Sequence, residues 1–486
     1  MAQPMSMPSS ASAALSQPSE HDTPAGQTQP PGGREGCAVN QQLPLASFWS
    51  LTPAQREAIL LDGIVEAHAW HFARNRAYRQ TVAARGVGPA LSPNDLARVL
   101  RPTAQTFKSY IDLLGTPFPH DRPLAFVEWL AGQLSIELPV ARFSRFRARY
   151  GSLEALLRAV EQIYADLGLE ILTSSGTSGR ATIMVRNQQA LTRTTESFYL
   201  SFQRYFGMQA DHRAIFIMPR QTRIAMARMA QFSVQGIGLA PERVHFTIPF
   251  AAQPDQVRIR AGRTFRSGWR GAVERRLWRP FMLWMGDAVV TPRAVQSTVD
   301  LLQAASAAGE KVLLFAGWTH LHAAAQEILR RGAPLRLAAG SLVGSGGGMK
   351  ERYPHTPDEI RATVAQAMTF ISGEPVMVRD TYGMAEGNWA AMQCRQGNYH
   401  LPPWIQAFTV DGNDTLQAGA DSVGLLAFFD PFGGGELFPA FFKTADRVRL
   451  LRGDAPCACG EQGAYLAQGS IQRVDLLDEA GCAAQL

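Results

Sequence analysis

The sequence predicts a layered α/β domain with a mainly parallel sheet, and two observations support this prediction. Short apolar runs typical of strands alternate with helical patterns from about residue 168 onward. Before that point, helical patterns continue with few breaks from residue 45. The runs that we interpret as strands are 169–172, 214–218, 244–248, 311–315, 376–378 and 424–429. Strands that alternate with helices are typical of a sheet with helices packed on it.

Several predicted elements carry end signals. Thr52 followed by Pro53 predicts a helix start, because Pro is favoured at the first helical position. A helix over 320–331 is expected to stop at Gly332, and Thr356 is expected to cap a helix over 357–371.

The chain divides into four predicted parts. Its 486 residues are enough for more than one domain. Residues 1–44 are rich in Ser, Pro, Gln, Ala and Gly and poor in large apolar side chains, so we expect a disordered tail. A helical region over 45–167 and an α/β core over 168–446 follow. Residues 447–486 are expected to form a small C-terminal subdomain.

Composition excludes several classes of protein. Five cysteines are too few for a disulfide framework in this chain, which favours a reducing, cytoplasmic location. No apolar run approaches the roughly 20 residues that span a bilayer. The N-terminal residues do not read as a charged start followed by an apolar core, so we expect no secretory signal there. Arginine supplies nearly all of the positive charge behind the net +6, and no nucleic-acid-binding fold is recognisable. The arginine-rich stretch 258–279 is either a solvated face with aromatic packing or a docking surface for an acidic protein or an anionic membrane.

A segment of Thr, Ser and Gly follows the first predicted strand of the core. It comprises Thr173, Ser174, Ser175, Gly176, Thr177, Ser178 and Gly179. Small residues let the backbone approach an anion, and hydroxyls with free N–H groups bind phosphate. No Walker lysine follows, which excludes a P-loop nucleotide site of that type. We expect a phosphate-binding loop, with an ordinary turn as the alternative.

Three later segments carry further candidate residues. A glycine-rich run over 344–348 permits close backbone approach and precedes Lys350. Tyr382 and Glu386 come shortly after a predicted strand, and Asp446 lies in the third segment. A carboxylate such as that of Glu386 is suited to hold the hard cation that neutralises triphosphate oxygens.

In this order the segments resemble those of the adenylate-forming enzymes, which activate carboxylic acids with ATP. The resemblance implies an adenylate-forming-type domain with ATP and Mg²⁺ as cofactors. It also implies that Tyr382 stacks on adenine, Glu386 binds Mg²⁺ and Asp446 accepts hydrogen bonds from the ribose hydroxyls. The cofactor-binding residues that it implies are Ser174, Ser175, Gly176, Thr177, Ser178, Gly179, Gly346, Gly347, Gly348, Thr381, Tyr382, Gly383, Asp446 and Arg473.

The chain from about residue 165 is similar to the acyl-protein synthetases of bacterial luminescence, the LuxE type. The similarity rests on the motifs above and on Cys394 with His400, Cys457 to Gly460, Gln472 to Asp475, and Gly481 with Cys482. It implies that a fatty acyl group passes from its adenylate to Cys482 and then to a partner, such as a reductase or a carrier protein. A cysteine thiolate attacks such a mixed anhydride to form a thioester.

Roughly forty residues follow Asp446 in this sequence, fewer than an ordinary domain contains, and none of them is lysine. Ordinary acyl-CoA ligases carry a mobile C-terminal domain with a lysine that meets the acyl-adenylate. Here we expect Lys350 or Lys443 to make that contact, with Lys350 as the catalytic candidate beside Cys482 and Glu386.

Two alternative functions stay open. One is a phenylacetate-type acyl-CoA ligase, in which coenzyme A accepts the acyl group. The other is a catalytically silent nucleotide-binding scaffold, because Ala385 and Ala445 replace residues that the family often has as Thr and Gly. Cys457 and Cys459 resemble half of a zinc site, but the sequence shows no second pair with suitable spacing, so no metal is assigned to them.

Overall fold

The structure is a computed structural model, and it describes residues 43–146, 149–174, 181–260, 262, 264, 266, 268–348, 353–453 and 456–474. The predicted tail lies outside these residues up to position 42. Within the described ranges, no helix combines the length and the apolar character that crossing a bilayer requires.

Helices dominate the first part of the chain and flank the strands later. They are α1 (Pro53–Arg74), α2 (Arg76–Ala83), α3 (Leu96–Val99), α4 (Thr103–Thr106), α5 (Tyr110–Leu114), α6 (Pro123–Gln133), α7 (Val140–Phe143), α8 (Leu153–Ile163), α9 (Gln188–Ser201), α10 (Ala225–Ile237), α11 (Pro254–Arg260), α12 (Gly268–Val273), α13 (Arg279–Trp284), α14 (Thr291–Ala307), α15 (Trp318–Arg330) and α16 (Pro357–Ala367). The Thr52 cap of α1 is confirmed, because its side chain and that of Gln55 form a capping box.

All strands except the short β1 follow α8. They are β1 (Arg101–Pro102), β2 (Glu170–Thr173), β3 (Ile183–Arg186), β4 (Arg213–Pro219), β5 (Val244–Ile248), β6 (Val312–Ala316), β7 (Leu335–Leu337), β8 (Leu342–Gly346), β9 (Met368–Phe370), β10 (Val378–Gly383), β11 (Ala390–Gln393), β12 (Tyr399–His400), β13 (Gln406–Val410), β14 (Leu416–Gln417), β15 (Asp421–Asp430), β16 (Ala440–Leu451), β17 (Tyr465–Leu466) and β18 (Gln472–Arg473). The α/β prediction is confirmed.

One sheet of fourteen strands joins a parallel half to an antiparallel half. Its order is β14-β13-β15-β16-β17-β12-β11-β10-β8-β6-β4-β5, with β1 and β18 also paired to β16. The strands from β10 to β5 are parallel, whereas β11 and its neighbours toward β14 are antiparallel. The expectation of a mainly parallel sheet therefore holds for one half only. Alternating apolar runs do not show strand direction, which depends on how the chain returns.

Two predicted boundaries are wrong. The strand predicted over 376–378 begins at Val378 and continues to Gly383, so Tyr382 lies inside it and not after it. The helix expected over 357–371 ends at Ala367, where the chain turns into β9.

Buried apolar side chains fill both faces of the sheet. One cluster joins the N-terminal helices to the antiparallel half, and a second lies between the parallel strands and α14, α15 and α16. In the arginine-rich stretch, Trp269 is 73% exposed and Trp278 is 54% exposed, whereas Arg258 is buried. Trp278 still packs edge-on against Phe281, and Arg270 lies over the ring of Trp269, so the aromatic packing considered for this stretch occurs at an exposed surface.

Candidate functional site

A cavity of about 470 Å³ opens where the parallel half of the sheet meets the antiparallel half. The carboxyl ends of β8 and β10 lead into it, which is where open α/β sheets bind ligands. Its polar wall consists of Thr103, Lys108, Ser174, Thr182, Gly347, Gly348, Asp380, Thr381, Tyr382, Glu386, Tyr399, Thr444, Asp446 and Arg473. Its volume lies within the range of about 300–1,000 Å³ that is usual for small-molecule sites.

The described part of the predicted phosphate segment, Thr173 and Ser174, lies at the end of β2. β2 pairs with β3 in antiparallel register from Glu170 opposite Arg186 to Thr173 opposite Ile183. Ser174 and Thr182 close the loop, since the Thr182 amide donates to Ser174 Oγ at 2.9 Å and the Ser174 amide donates to the Thr182 carbonyl at 3.1 Å. Both residues line the cavity. The predicted residues Ser175, Gly176, Thr177, Ser178 and Gly179 lie outside the described residues.

Tyr382 and Asp446 meet although 64 residues separate them. The Tyr382 hydroxyl donates a 2.7 Å hydrogen bond to Asp446 Oδ2. Burial and the neighbouring Asp446 carboxylate raise the pKa of Tyr382 well above its ordinary value, so the hydroxyl keeps its proton and remains a donor. β18 pairs with β16 so that Arg473 is opposite Asp446, and all three side chains line the cavity.

Glu386 lies in the cavity wall with only 5% of its surface exposed. Its Oε1 accepts a 2.8 Å hydrogen bond from the hydroxyl of Thr182, a residue that the sequence analysis did not select. Behind it, the buried Arg186 supplies positive charge to both Glu386 and Asp430; burial lowers the pKa of Arg186 to about 10, which leaves it charged at neutral pH. Burial raises the pKa of Asp430 to about 6.

The glycine-rich segment packs against β10. A Cβ at Gly346 would lie 2.4 Å from Thr381 Oγ1, so only glycine fits there without movement. Gly347 and Gly348 adopt positive φ angles of 89° and 70° and line the cavity. Thr381 donates to the Ser345 carbonyl at 2.9 Å, so its hydroxyl fixes the two strands together.

Lys108 was not selected from the sequence, yet it lines the cavity with 8% of its surface exposed. Of the three lysines that the structure describes, it is the one in this wall. Lys443, one of the two predicted candidates, instead forms an ion pair with Asp414, and it does not line the cavity. Lys350 and Cys482 lie outside the described residues.

The rest of the cavity is apolar. α9 and the turn that follows it, α10 with the residue before it, β6 and β11 supply most of this wall, namely Phe198, Phe202, Ile224, Ala225, Met229, Ala230, Phe315, Ala390 and Met392. Met384, Ala385, Ala445 and Ile471 also line the cavity. At the boundary between the polar and apolar walls, burial raises the pKa of Asp380 to about 6, while the Tyr399 hydroxyl donates to its Oδ2 at 2.9 Å. The site therefore combines an acidic, hydroxyl-rich part with a hydrophobic part.

Solved structures of a 2-hydroxyisobutyryl-CoA ligase resemble this fold. The open form, in complex with 2-HIB-AMP and CoA, gives a TM-score of 0.52 at 13% identity, over 89% of this chain and 78% of that chain. The complex in the thioesterification state gives 0.52 at 14%, over 90% and 73%. The postadenylation complex with 2-HIB-AMP gives 0.51 at 12%, over 87% and 69%. At this identity the likeness shows the fold, and the predicted adenylate-forming fold is confirmed.

Comparisons by sequence give no further assignment. No family model matches the chain. A search of curated proteins finds no match either.

Proposed function

We propose that this protein activates a carboxylic acid with ATP and transfers the acyl group to a thiol. The observation that carries the proposal is the convergence of three distant segments in one cavity: Ser174 with Thr182, Tyr382 to Glu386, and Asp446. Each contributes a group suited to a different part of a nucleotide. The fold, shared with a ligase solved in complex with 2-HIB-AMP and CoA, agrees with this assignment.

The residues fit ATP with one magnesium ion. Asp446 and Arg473 would hold the ribose end, Tyr382 would stack on the adenine, and Gly347 and Gly348 would let the backbone approach it. Glu386 is the carboxylate that would hold Mg²⁺, because Mg²⁺ commonly takes one or two protein carboxylates together with substrate phosphates. When bound, the metal would neutralise charge on the triphosphate.

In the first step a carboxylate oxygen of the acid attacks the α-phosphorus of ATP. A bond forms between that oxygen and the α-phosphorus, the bond to the bridging oxygen breaks, and pyrophosphate leaves. Lys108, buried in the same wall, would attract the acid carboxylate or the α-phosphate and so offset their repulsion. In the second step a thiolate attacks the acyl carbon, a C–S bond forms, and AMP leaves.

The apolar wall favours an acid with a hydrophobic body, such as a fatty acid. Phe198, Phe202 and Phe315 line it, and Met229 and Met392 add unbranched side chains that adapt to irregular shapes. For the acceptor we propose Cys482, from which the acyl group would pass to a partner protein. The likeness to a ligase solved with CoA keeps coenzyme A as the second candidate acceptor.

Intact-mass spectrometry separates these acceptors. The purified chain is incubated with ATP, Mg²⁺ and a panel of carboxylic acids, as the wild type and as Cys482→Ala. We expect an acyl adduct that hydroxylamine removes and that the variant lacks. Pyrophosphate release without an adduct, with acyl-CoA formed when coenzyme A is added, identifies the CoA ligase. Absence of pyrophosphate release with every acid indicates a silent scaffold and contradicts the proposal.

A further inference from the structure

A second cluster of reactive side chains lies outside the cavity. Cys394, His400, Cys457 and Cys459 each offer one ligand atom, and these atoms all lie within 4.8 Å of one another. The first three residues are buried, and Cys459 is partly exposed. We propose that the four residues form a structural Zn²⁺ site of the Cys₃His type. No metal was assigned to Cys457 and Cys459 from the sequence, because Cys394 and His400 follow β11 and lie far from them along the chain.

The spacing of the ligand atoms suits a tetrahedral ion. With Zn–S and Zn–N distances of about 2.3 and 2.0–2.1 Å, ligand atoms lie roughly 3.5–4 Å apart around the metal. Cys459 Sγ and His400 Nε2 already lie 3.3 Å apart. Since no two of the ligand atoms lie more than 4.8 Å apart, a contraction of at most about 1 Å would bring them to tetrahedral spacing.

Two short turns hold the ligands in place. In the hairpin between β11 and β12, the Cys394 amide donates to the Asn398 carbonyl at 2.8 Å, and the Gly397 amide donates back to the Cys394 carbonyl at 3.0 Å. In the second turn, the Cys457 amide donates to the Glu461 carbonyl at 2.9 Å, and the Gly460 amide donates to the Cys457 carbonyl at 2.7 Å. These backbone hydrogen bonds therefore hold Cys394, Cys457 and Cys459 close to His400 in β12.

The environment of His400 is a second, independent indication of a ligand. Its ring is 0% exposed, and the sulfur of Cys459 is the polar neighbour of Nε2. Among the described residues, Nδ1 has no hydrogen-bond partner. Buried polar groups are normally satisfied, and a thiol is a weak partner. An ion bound to Nε2 and to three sulfurs would replace the weak contact between Nε2 and the Cys459 thiol, and the ring proton would then lie on Nδ1.

The chemistry of the ligand set selects the metal. Thiolates are soft ligands that disfavour Mg²⁺ and Ca²⁺, and three sulfurs with one imidazole are typical of closed structural zinc sites. Asn398 Nδ2 donates to Cys457 Sγ at 3.3 Å, a contact that would orient the ligand and stabilise its negative charge. Because the protein supplies all four ligands, the ion would have no open position for catalysis.

The place of the cluster in the fold indicates its role. The turn that carries Cys457 and Cys459 connects β16 to β17, and β17 pairs with both β12 and β16. β18, which follows, brings Arg473 opposite Asp446 in the cavity wall. A metal that ties this turn to Cys394 and His400 would therefore hold the segment that carries Arg473 against the sheet.

Metal analysis of the full chain, purified without chelators or added nucleotide, tests the site. We expect one zinc ion per chain by inductively coupled plasma mass spectrometry, and at least about a tenfold loss in the Cys457→Ser/Cys459→Ser double variant. Cys37→Ser, which leaves the four proposed ligands intact, is the matched control and should keep its zinc. Three results overturn the proposal: a folded wild type that holds no zinc, a wild type that holds iron or copper in place of zinc, or a double variant that retains zinc.

A measurement on the wild type guards against a variant that fails to fold. A mercurial reagent that blocks thiols should release the zinc, and a metallochromic dye measures it. Cobalt taken up by the stripped chain should show a sulfur-to-cobalt charge-transfer band. Release of no zinc, absence of that band in folded protein, or a Cys457–Cys459 disulfide found by peptide mass mapping contradicts the site. None of these readouts depends on acid activation, so the two proposals fail separately.

Discussion

Replacing Thr182 by Val removes the hydroxyl that donates a hydrogen bond to Glu386, the candidate metal ligand. Thr182 is 1% exposed, and its hydroxyl donates to Glu386 Oε1 at 2.8 Å. Valine has nearly the same shape, so the change deletes the hydrogen bond with little loss of packing. Glu386 is itself 5% exposed, and water cannot readily replace the lost donor.

The expected size follows from the charge on the acceptor. A hydrogen bond to an ionised group contributes about 1.5–3 kcal/mol, and each 1.36 kcal/mol changes a rate tenfold. Acid-dependent pyrophosphate release by Thr182→Val should therefore fall roughly 10- to 150-fold in kcat/KM for ATP. The Mg²⁺ concentration for half-maximal rate should rise, because the Glu386 carboxylate is no longer held in one orientation.

Two companion variants separate this effect from packing. Thr182→Ser keeps the hydroxyl and should recover most of the activity. Thr173→Val is the matched control in the same hairpin, because Thr173 Oγ1 is buried without a hydrogen-bond partner among the described residues. It should not lower the free energy of unfolding, because it removes a buried hydroxyl that has no hydrogen-bond partner among the described residues. Wild-type activity in Thr182→Val, or equal losses in Thr182→Val and Thr173→Val, refutes the reasoning.

Three further perturbations test other parts of the site. Asp446→Asn removes the anion proposed to accept ribose hydrogen bonds and should raise KM for ATP roughly 10- to 150-fold in steady-state kinetics. Gly346→Ala places a Cβ 2.4 Å from Thr381 Oγ1 and should lower the unfolding free energy, measured by urea denaturation, by about 1–3 kcal/mol. Gly88→Ala is the control, because its added Cβ has no heavy atom within 4 Å. Burial raises the pKa of Asp430 from 3.8 to about 6, so its ionisation destabilises the fold. The unfolding free energy of wild type minus that of Asp430→Asn should therefore fall by up to about 3 kcal/mol between pH 4 and 6 and stay level above.

Each of these perturbations has a contradicting result. An unchanged KM for ATP in Asp446→Asn argues against the ribose contact. Equal urea midpoints for Gly346→Ala and Gly88→Ala show that the close approach to β10 is relaxed in solution. For Asp430, a difference that rises with pH has the opposite sign to that expected for a carboxyl group whose pKa is raised by burial.

Sequence patterns predicted β2, β4, β5, β6 and β15, but β3, β7, β8, β9, β11 to β14 and β16 were not predicted. Buried parallel strands are the easiest to find, because they read as short apolar runs. The parallel strands β4 and β5 lie where two of those runs lie, and the antiparallel β15 also coincides with one. Strand β10 was placed too early, since its polar residues Asp380, Thr381 and Tyr382 do not read as a buried strand. These residues line the cavity at the carboxyl ends of the strands, where side chains serve the site and not the packing of the core.

The candidate site was predicted only where short motifs mark it. Lys108 and Thr182 carry no motif, and the fold alone brings them to Glu386 and its surroundings. The cysteine and histidine cluster shows the same limit. Cys457 contacts Asn398 in the β11–β12 hairpin because β17, which follows Cys457, pairs with β12. No local sequence pattern shows which distant strands pair.

Exchange of labelled pyrophosphate into ATP tests the central claim most directly. It reports formation of an acyl-adenylate without requiring any acceptor thiol, so it is independent of Cys482 and of coenzyme A. We predict exchange that needs Mg²⁺ and a hydrophobic carboxylic acid, and that falls at least about tenfold in Asp446→Asn at subsaturating ATP. Exchange without added acid, or none with any acid in a folded chain that binds ATP, contradicts the account.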